Sequence, residues 1–241
     1  MVKYKKNEII YNAGDHPEDI MMLVVGKVRI YKEGIGQRQQ IIRLLKPFDF
    51  FGFRAIITGD DHSSSASALE ACVVYKLNRD AFLQLLRTNN SFCYHVMLMI
   101  AEHLGSSEQQ TVNLTQKHIR GRLAESLLTL KDNYGLDDDA CTIAMYMSRE
   151  DLANMSNMTT SNAIRTLSQF AAEGIISIDG RKIQILNENE LKHISRIGWL
   201  VERFTKVITQ LNHLVIVLRR EVYEVEVTRV HPTPLEVYLI M

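Results

Sequence analysis

The sequence predicts an α+β chain: an N-terminal antiparallel β-roll, jelly-roll-like, then a long helix, then a C-terminal winged helix-turn-helix. Three observations predict it. Up to about residue 88, short apolar stretches alternate with turn clusters, as in a small antiparallel barrel or sandwich. From Arg79 the apolar period lengthens to three and four residues. Beyond residue 148, two short helical stretches meet at a tight turn and lead into a hairpin.

In the roll, Ile9-Ile10-Tyr11 precedes the turn Asn12-Ala13-Gly14-Asp15. Met21–Val25, Gly26 and Lys27–Tyr31 follow, the last alternating apolar and polar residues as a half-buried strand does. Gly34-Ile35-Gly36 punctuates the connection to a strand over Gln40–Leu45. Pro47-Phe48-Asp49 and Thr58-Gly59-Asp60-Asp61 read as turns, and Ala68–Leu77 as one closing strand. Arg79–Arg87 reads as a short helix. Ser91 can cap a long one to about Gln116, whose stripe is Phe92, Val96, Met99/Ile100, His103, Ser107, Gln110/Thr111 and Leu114. Such a stripe is a natural dimer seam, the alternative being a helix covered only by its own domain. Val96 to Leu104 is apolar almost all round, which calls for cover on two sides.

Arg120–Asp132 reads as a helix with core residues Leu123, Leu127, Leu128 and Leu130, and Asp137-Asp138-Asp139 as a solvated linker rather than a metal site. Ser148-Arg149-Glu150-Asp151 opens a helix with a capping-box pattern, buried through Leu152, Ala153 and Met155. Ser156-Asn157-Met158 interrupts it, asparagine tolerating the left-handed backbone of a tight turn. Thr159 caps Thr160–Glu173, held inward by Ala163, Ile164, Leu167 and Phe170, and Gly174 stops it. Ile175–Ile178, the turn Asp179-Gly180-Arg181-Lys182 and Ile183–Leu186 form a wing. The boundaries read as roll 1–90, dimerisation helix 91–118, winged helix 119–197 and extension 198–241. In the extension, residues 200–218 fit an amphipathic helix and Glu221–Val230 a strand.

The 241 residues are 46% hydrophobic and 23% charged, the balance of a globular protein. The longest apolar runs, Val96–Ala101 and Leu214–Leu218, fall far short of the roughly 20 residues that cross a bilayer, so no membrane partner is expected. Without an apolar leader at the N-terminus, the expectation is cytoplasmic. Cys72, Cys93 and Cys141 include no Cys-x-x-Cys pair, so neither a zinc site nor an iron–sulfur cluster held by local cysteines is expected. Lys plus Arg and Asp plus Glu both number 28, so any contact with phosphates must come from where the cations sit, not from their excess.

The second helix of the turn would enter the major groove of double-stranded DNA by its first turn. Thr160, Ser161 and Asn162 then lie nearest the base edges, and Arg165 reaches a guanine or a phosphate. Ser148, Arg149, Arg181 and Lys182 are the phosphate-contact candidates. The competing use of such a motif is protein contact.

With these residues in view, the chain resembles the CRP/FNR family of bacterial regulators over roughly residues 5–197. Lys6–Asp15, Val24–Tyr31, Gly121–Leu128, Ser148–Ala153 and Gly174-Ile175-Ile176 carry the likeness. The resemblance implies a sensor roll, a homodimer, a palindromic operator and RNA polymerase as partner. Cyclic-nucleotide-binding members carry a glutamate after the glycine that Gly52 matches, and arginine–serine about ten residues on. Here Phe53 and His62-Ser63 stand there, so cyclic AMP is not expected as effector. Many members also carry a glutamate where Ser161 stands, so the operator should differ.

Gly52, Phe53, Arg54, His62, Ser63 and Ser64 form the candidate effector pocket, Arg54 and the serines suiting an anion. The alternative is an Arg54 that is simply exposed or paired. Haem, bound by some family members, has nominal ligands in His62, His95, His103, Cys72, Met21 and Met22, residues more often core or surface. A redox switch at Cys72 or Cys93 is disfavoured by their apolar settings. The sequence thus predicts a dimeric DNA-binding regulator. The alternatives are a small-molecule or haem sensor with weak DNA binding and an enzyme, for which no nucleophile–base pair is visible.

Overall fold

A computed structural model describes residues 1–197, which lie within one compact unit. The expected helix over residues 200–218 and strand Glu221–Val230 fall outside the described residues.

Two four-stranded antiparallel sheets form the roll. One has the order β1 (Val2–Tyr4), β8 (Cys72–Asn78), β3 (Asp19–Val25), β6 (Phe50–Phe51); the other has β2 (Ile9–Tyr11), β7 (Ser65–Ala68), β4 (Val28–Glu33), β5 (Gln39–Leu45). Between them lies a core of Tyr4, Tyr11, Leu23, Val28, Leu45, Phe51, Ala66 and Val74. The alternation read along Lys27–Tyr31 shows why: Val28 and Ile30 point into this core, while Arg29 does not. Gly26 must be glycine. Its φ is +94°, and a Cβ there would lie 2.6 Å from the Ala71 carbonyl oxygen.

The roll departs from the sequence reading in three places. Ala68–Leu77 is not one strand, because the chain leaves β7 at Ala68 and re-enters the other sheet at Cys72. A short helix, α1 (Phe53–Thr58), stands where only turns were expected; it starts from Gly52, which has no side chain to announce a cap. The strands β1 and β6 are too short to carry a period.

Helix α2 (Arg79–Thr88) leads to α3 (Asn90–Gln116), capped by Asn89 through its side-chain oxygen and not by Ser91. The α3 stripe faces this chain's own roll: Val96 is buried and Phe92, Met99, His103, Gln110 and Leu114 are half-buried. Val96, Phe92 and Met99 close a second small core with Ile20, Phe53, Ile56 and Phe82. The face left open lies beside it, with Met97 55% and Leu104 60% exposed along with Tyr94, Leu98, Val112 and, from the edge of the stripe, Ile100.

Helices α4 (Ile119–Tyr134), α5 (Arg149–Met155), α6 (Thr160–Ala172) and α7 (Glu188–Ile197) surround a third core with the hairpin β9 (Ile176–Asp179)–β10 (Lys182–Ile185). Leu123, Leu127 and Leu130 are buried as expected, Leu128 only in part. Tyr31 and Ile41 of the roll belong to this same core. The aspartate run is also more than a solvated linker. Asp139 accepts hydrogen bonds from the Thr142 hydroxyl and from the Thr142 and Cys141 amides, which hold its carboxyl well below the usual range.

Candidate nucleic-acid interface and sensor cavity

The interface is built by two short helices whose ends are set by local chemistry. Ser148 Oγ accepts the Asp151 amide at 3.0 Å and caps α5. The reciprocal half of the expected capping box is different: the Asp151 carboxylate accepts from Ser148 Oγ at 2.7 Å and pairs with Arg29 of β4. After α5, Asn157 adopts φ +49° and turns the chain, and Ser156 Oγ bonds Ser126 Oγ of α4 at 2.8 Å, fixing the turn from below. Thr159 Oγ1 then accepts the Asn162 amide at 3.3 Å and starts α6, which ends before Gly174 at φ +69°.

Helix α6 lies on the core by Ala163, Thr166, Leu167 and Phe170. Ile164, expected inside, is 48% exposed; the buried face runs through Thr166 instead. The opposite edge is open. Thr160, Ser161 and Arg165 are exposed and Asn162 half-buried, with Arg165 Nη2 donating to Asn162 Oδ1 at 3.0 Å. These four groups form one polar edge that presents donors and acceptors to solvent.

The phosphate candidates divide. Arg181 and Lys182 are exposed at the tip of the wing, Lys182 lying over the Tyr146 ring at 5.7 Å. Ser148 is half-buried and its hydroxyl is committed to the cap. Arg149 is already engaged within the chain. Its Nη2 donates to the Gly180 carbonyl at 2.7 Å, tying α5 to the wing turn, and burial lowers its pKa.

The six effector-pocket candidates, Gly52, Phe53, Arg54, His62, Ser63 and Ser64, line a single cavity of about 550 Å³ between the roll and α3. His62 is buried and stacks on Tyr11 with ring centroids 3.9 Å apart, and Arg54 donates to Ser63 Oγ. Sequence reasoning missed the residues that complete the lining, among them Lys32, Arg43, Ile100, His103 and Leu104, because they come from strands and a helix far along the chain. Of the nominal haem ligands, Cys72 and Met21 sit in the sandwich core and His95 bonds the Ser91 carbonyl. Burial pushes the Cys72 thiol up to about 11, the wrong direction for a redox switch.

Comparison with known proteins matches residues 1–89 to a cyclic nucleotide-binding domain and residues 121–194 to a Crp-like helix-turn-helix domain. The chain belongs to the CRP/FNR family of transcription regulators. A CRP-like cAMP-activated global transcriptional regulator of Mycobacterium tuberculosis is 20% identical over 81% of this chain and 88% of its own. The fumarate and nitrate reduction regulatory protein of Vibrio cholerae is 25% identical over 80% of this chain and 78% of its own. Among solved structures, FixK2 from Bradyrhizobium japonicum superposes with a TM-score of 0.74 at 27% identity, over 82% of this chain and 97% of that one. A CRP-family regulator from Thermus thermophilus shares the fold at a TM-score of 0.71 and 22% identity, over 82% and 98%. The CRP/FNR relatives are regulators, not enzymes, and the helix-turn-helix is a DNA-binding domain.

Proposed function

We propose that this CRP/FNR chain acts as a homodimer that reads a palindromic DNA operator, controlled by an effector in the roll cavity. The observation that carries it is the free polar edge of α6, where Thr160, Ser161, Asn162 and Arg165 stand together next to a wing tipped by Arg181 and Lys182. In the major groove, the first turn of α6 reads base edges, Arg165 bidentately on a guanine, while Arg181 and Lys182 hold phosphates. Ser148 and Arg149 act differently: the first sets the start of α5 and the second fixes the wing turn, so both position the interface.

The exposed apolar face of α3 supports the dimer. Met97, Ile100, Leu104 and Val112 recur at near-helical spacing on a 27-residue helix, and a second copy would cover them. RNA polymerase enters as partner through the family, and the cytoplasm as the place of action through its DNA target.

A titration of labelled operator-length duplex at several salt concentrations tests the reading. Steep loss of affinity as salt rises, with slope reduced by about two for each wing cation removed from both subunits of the dimer, is the expected outcome. The second reading, a sensor with weak DNA binding, draws on the balanced charge of the chain and the engagement of Arg149. It predicts duplex affinity no better than non-specific at any sequence.

A further inference from the structure

The lining of the roll cavity narrows the chemistry of its occupant, and this step rests on reading that cavity as the effector site. Three cations line it, Lys32, Arg43 and Arg54, and no aspartate or glutamate does. Arg54 has a hydroxyl, Ser63 Oγ, as its hydrogen-bond partner, and among the described residues no carboxylate pairs with it. Arg43 donates to the Phe50 carbonyl at 3.4 Å and lies 3.2 Å from His103 Nδ1. Asp49 faces Arg43 from the neighbouring groove between α3 and α4 and does not reach the cavity wall.

The other titratable groups bring no negative charge. The Tyr11 phenol is pushed up to about 12 by burial, against the pull of its Ser64 hydrogen bond and of Arg43 and Arg54. Burial, reinforced by Arg43, lowers His103 to about 4, and burial lowers His62 too. At neutral pH the cavity wall is therefore cationic or neutral throughout. Lys32 and Arg54 are exposed and Arg43, half-buried, is faced by Asp49 from outside the wall, so the lining itself is net cationic and an anion complements it. Beside the hydroxyls of Thr58, Ser63, Ser64 and Ser107, the wall is apolar through Ile30, Ile42, Phe53, Ile57, Ile100 and Leu104. Without a carboxylate, a sugar's hydroxyls would meet only the weaker hydroxyl and imidazole acceptors of the wall.

We infer that the cavity takes an organic anion of apolar body, its carboxylate seated against Arg54 and Ser63 and its hydrocarbon laid along Phe53, Ile42 and Leu104, in place of a cyclic nucleotide. A volume of about 550 Å³ accommodates such a molecule. The apolar end meets α3 at Ile100 and Leu104, residues that also belong to the face a second copy would cover, so occupancy bears directly on that helix.

Isothermal titration of the full chain tests this with octanoate and 4-phenylbutanoate, their neutral alcohols octanol and 4-phenylbutanol, and cyclic AMP. At least one carboxylate should bind one site per chain, ten-fold or more tighter than its alcohol. Arg54→Ala should lose ten-fold or more of that affinity and Arg54→Lys recover part of it, with melting temperatures unchanged because Arg54 is exposed. Binding of neither carboxylate, equal binding of acid and alcohol, or an unaffected Arg54→Ala would overturn the inference. A duplex titration in parallel separates the two layers. Carboxylate binding without any change in DNA affinity keeps the ligand class and removes the effector role. Cyclic AMP altering DNA affinity while neither carboxylate binds keeps the effector site and removes the ligand class.

Discussion

Arg29 of strand β4 and Asp151 of helix α5 form an ion pair across 122 residues of sequence, their side chains only 18% and 17% exposed. Arg29 also donates to Ser67 Oγ at 2.9 Å, and Asp151 also accepts from the capping Ser148, so each charge is held from two sides. Lys27 Nζ to the Ala144 carbonyl and Gln40 Nε2 to the Met155 carbonyl lie alongside. The roll is thus tied to the first helix of the DNA-binding motif through half-buried side chains.

Cutting this pair should be expensive. Arg29→Ala strands a largely buried carboxylate and should cost about 1–3 kcal/mol of unfolding free energy. In a double-mutant cycle with Asp151→Asn, the coupling should exceed about 1 kcal/mol in urea melts. Additive single effects would mean the pair contributes nothing as a pair.

The turn at Asn157 should tolerate glycine and little else. At φ +49°, alanine meets its own carbonyl oxygen and should lose about 1 kcal/mol, whereas Asn157→Gly should stay within a few tenths. Thermal melts of the two variants measure the difference. Equal melting temperatures would show that the turn relaxes out of the left-handed region.

His103 makes stability depend on pH in one window. Its folded pKa of about 4 lies below the roughly 6.5 of an unfolded histidine, so between these values the unfolded chain binds more protons. The contribution is complete above pH 6.5 and is lost as pH falls toward 4, by up to about 3 kcal/mol. His103→Gln should flatten the stability profile across that window. The buried His62 adds loss in the same direction, while Glu125, where hydrogen bonds from Ser195 and Lys117 outweigh the upward push of burial, and Glu188, lowered by Lys131 and Lys192, act only below about pH 4.5.

If α3 pairs with a second copy, a charge in its open face should separate the two. Met97→Glu is expected to shift sedimentation from dimer to monomer at micromolar concentration while leaving far-ultraviolet circular dichroism intact, since Met97 is 55% exposed and does not line the cavity. An unaltered sedimentation coefficient would direct the search for the interface elsewhere.

What was legible in the sequence was whatever is set locally. The caps Ser148 and Thr159, the left-handed Asn157 and the stop at Gly174 act over three or four residues and stand where their residue types imply. Periodicity alone served less well. It counted Ile164 as core because it is apolar at helical spacing, yet Thr166 took the buried place. On α3 it left one stripe open between a partner and its own domain and called for cover on two sides over Val96–Leu104; most of that stripe faces the roll, and a second apolar face stands open. Helix α1 escaped because Gly52 offers no capping side chain and six residues hold less than two turns. The Arg29–Asp151 pair and the convergence of Lys32, Arg43 and Arg54 on one cavity are products of topology, with no signature near any of the residues involved.

The most direct measurement is selection of bound sequences from a randomised duplex pool, followed by titration of the enriched site with the wild-type chain and Arg165→Ala. The account predicts an inverted repeat containing a guanine in each half, bound about 1–3 kcal/mol more weakly by Arg165→Ala, with discrimination at that guanine relaxed. An enriched site that Arg165→Ala binds with unchanged affinity and unchanged base preference, or a pool that yields no enriched sequence, would contradict it.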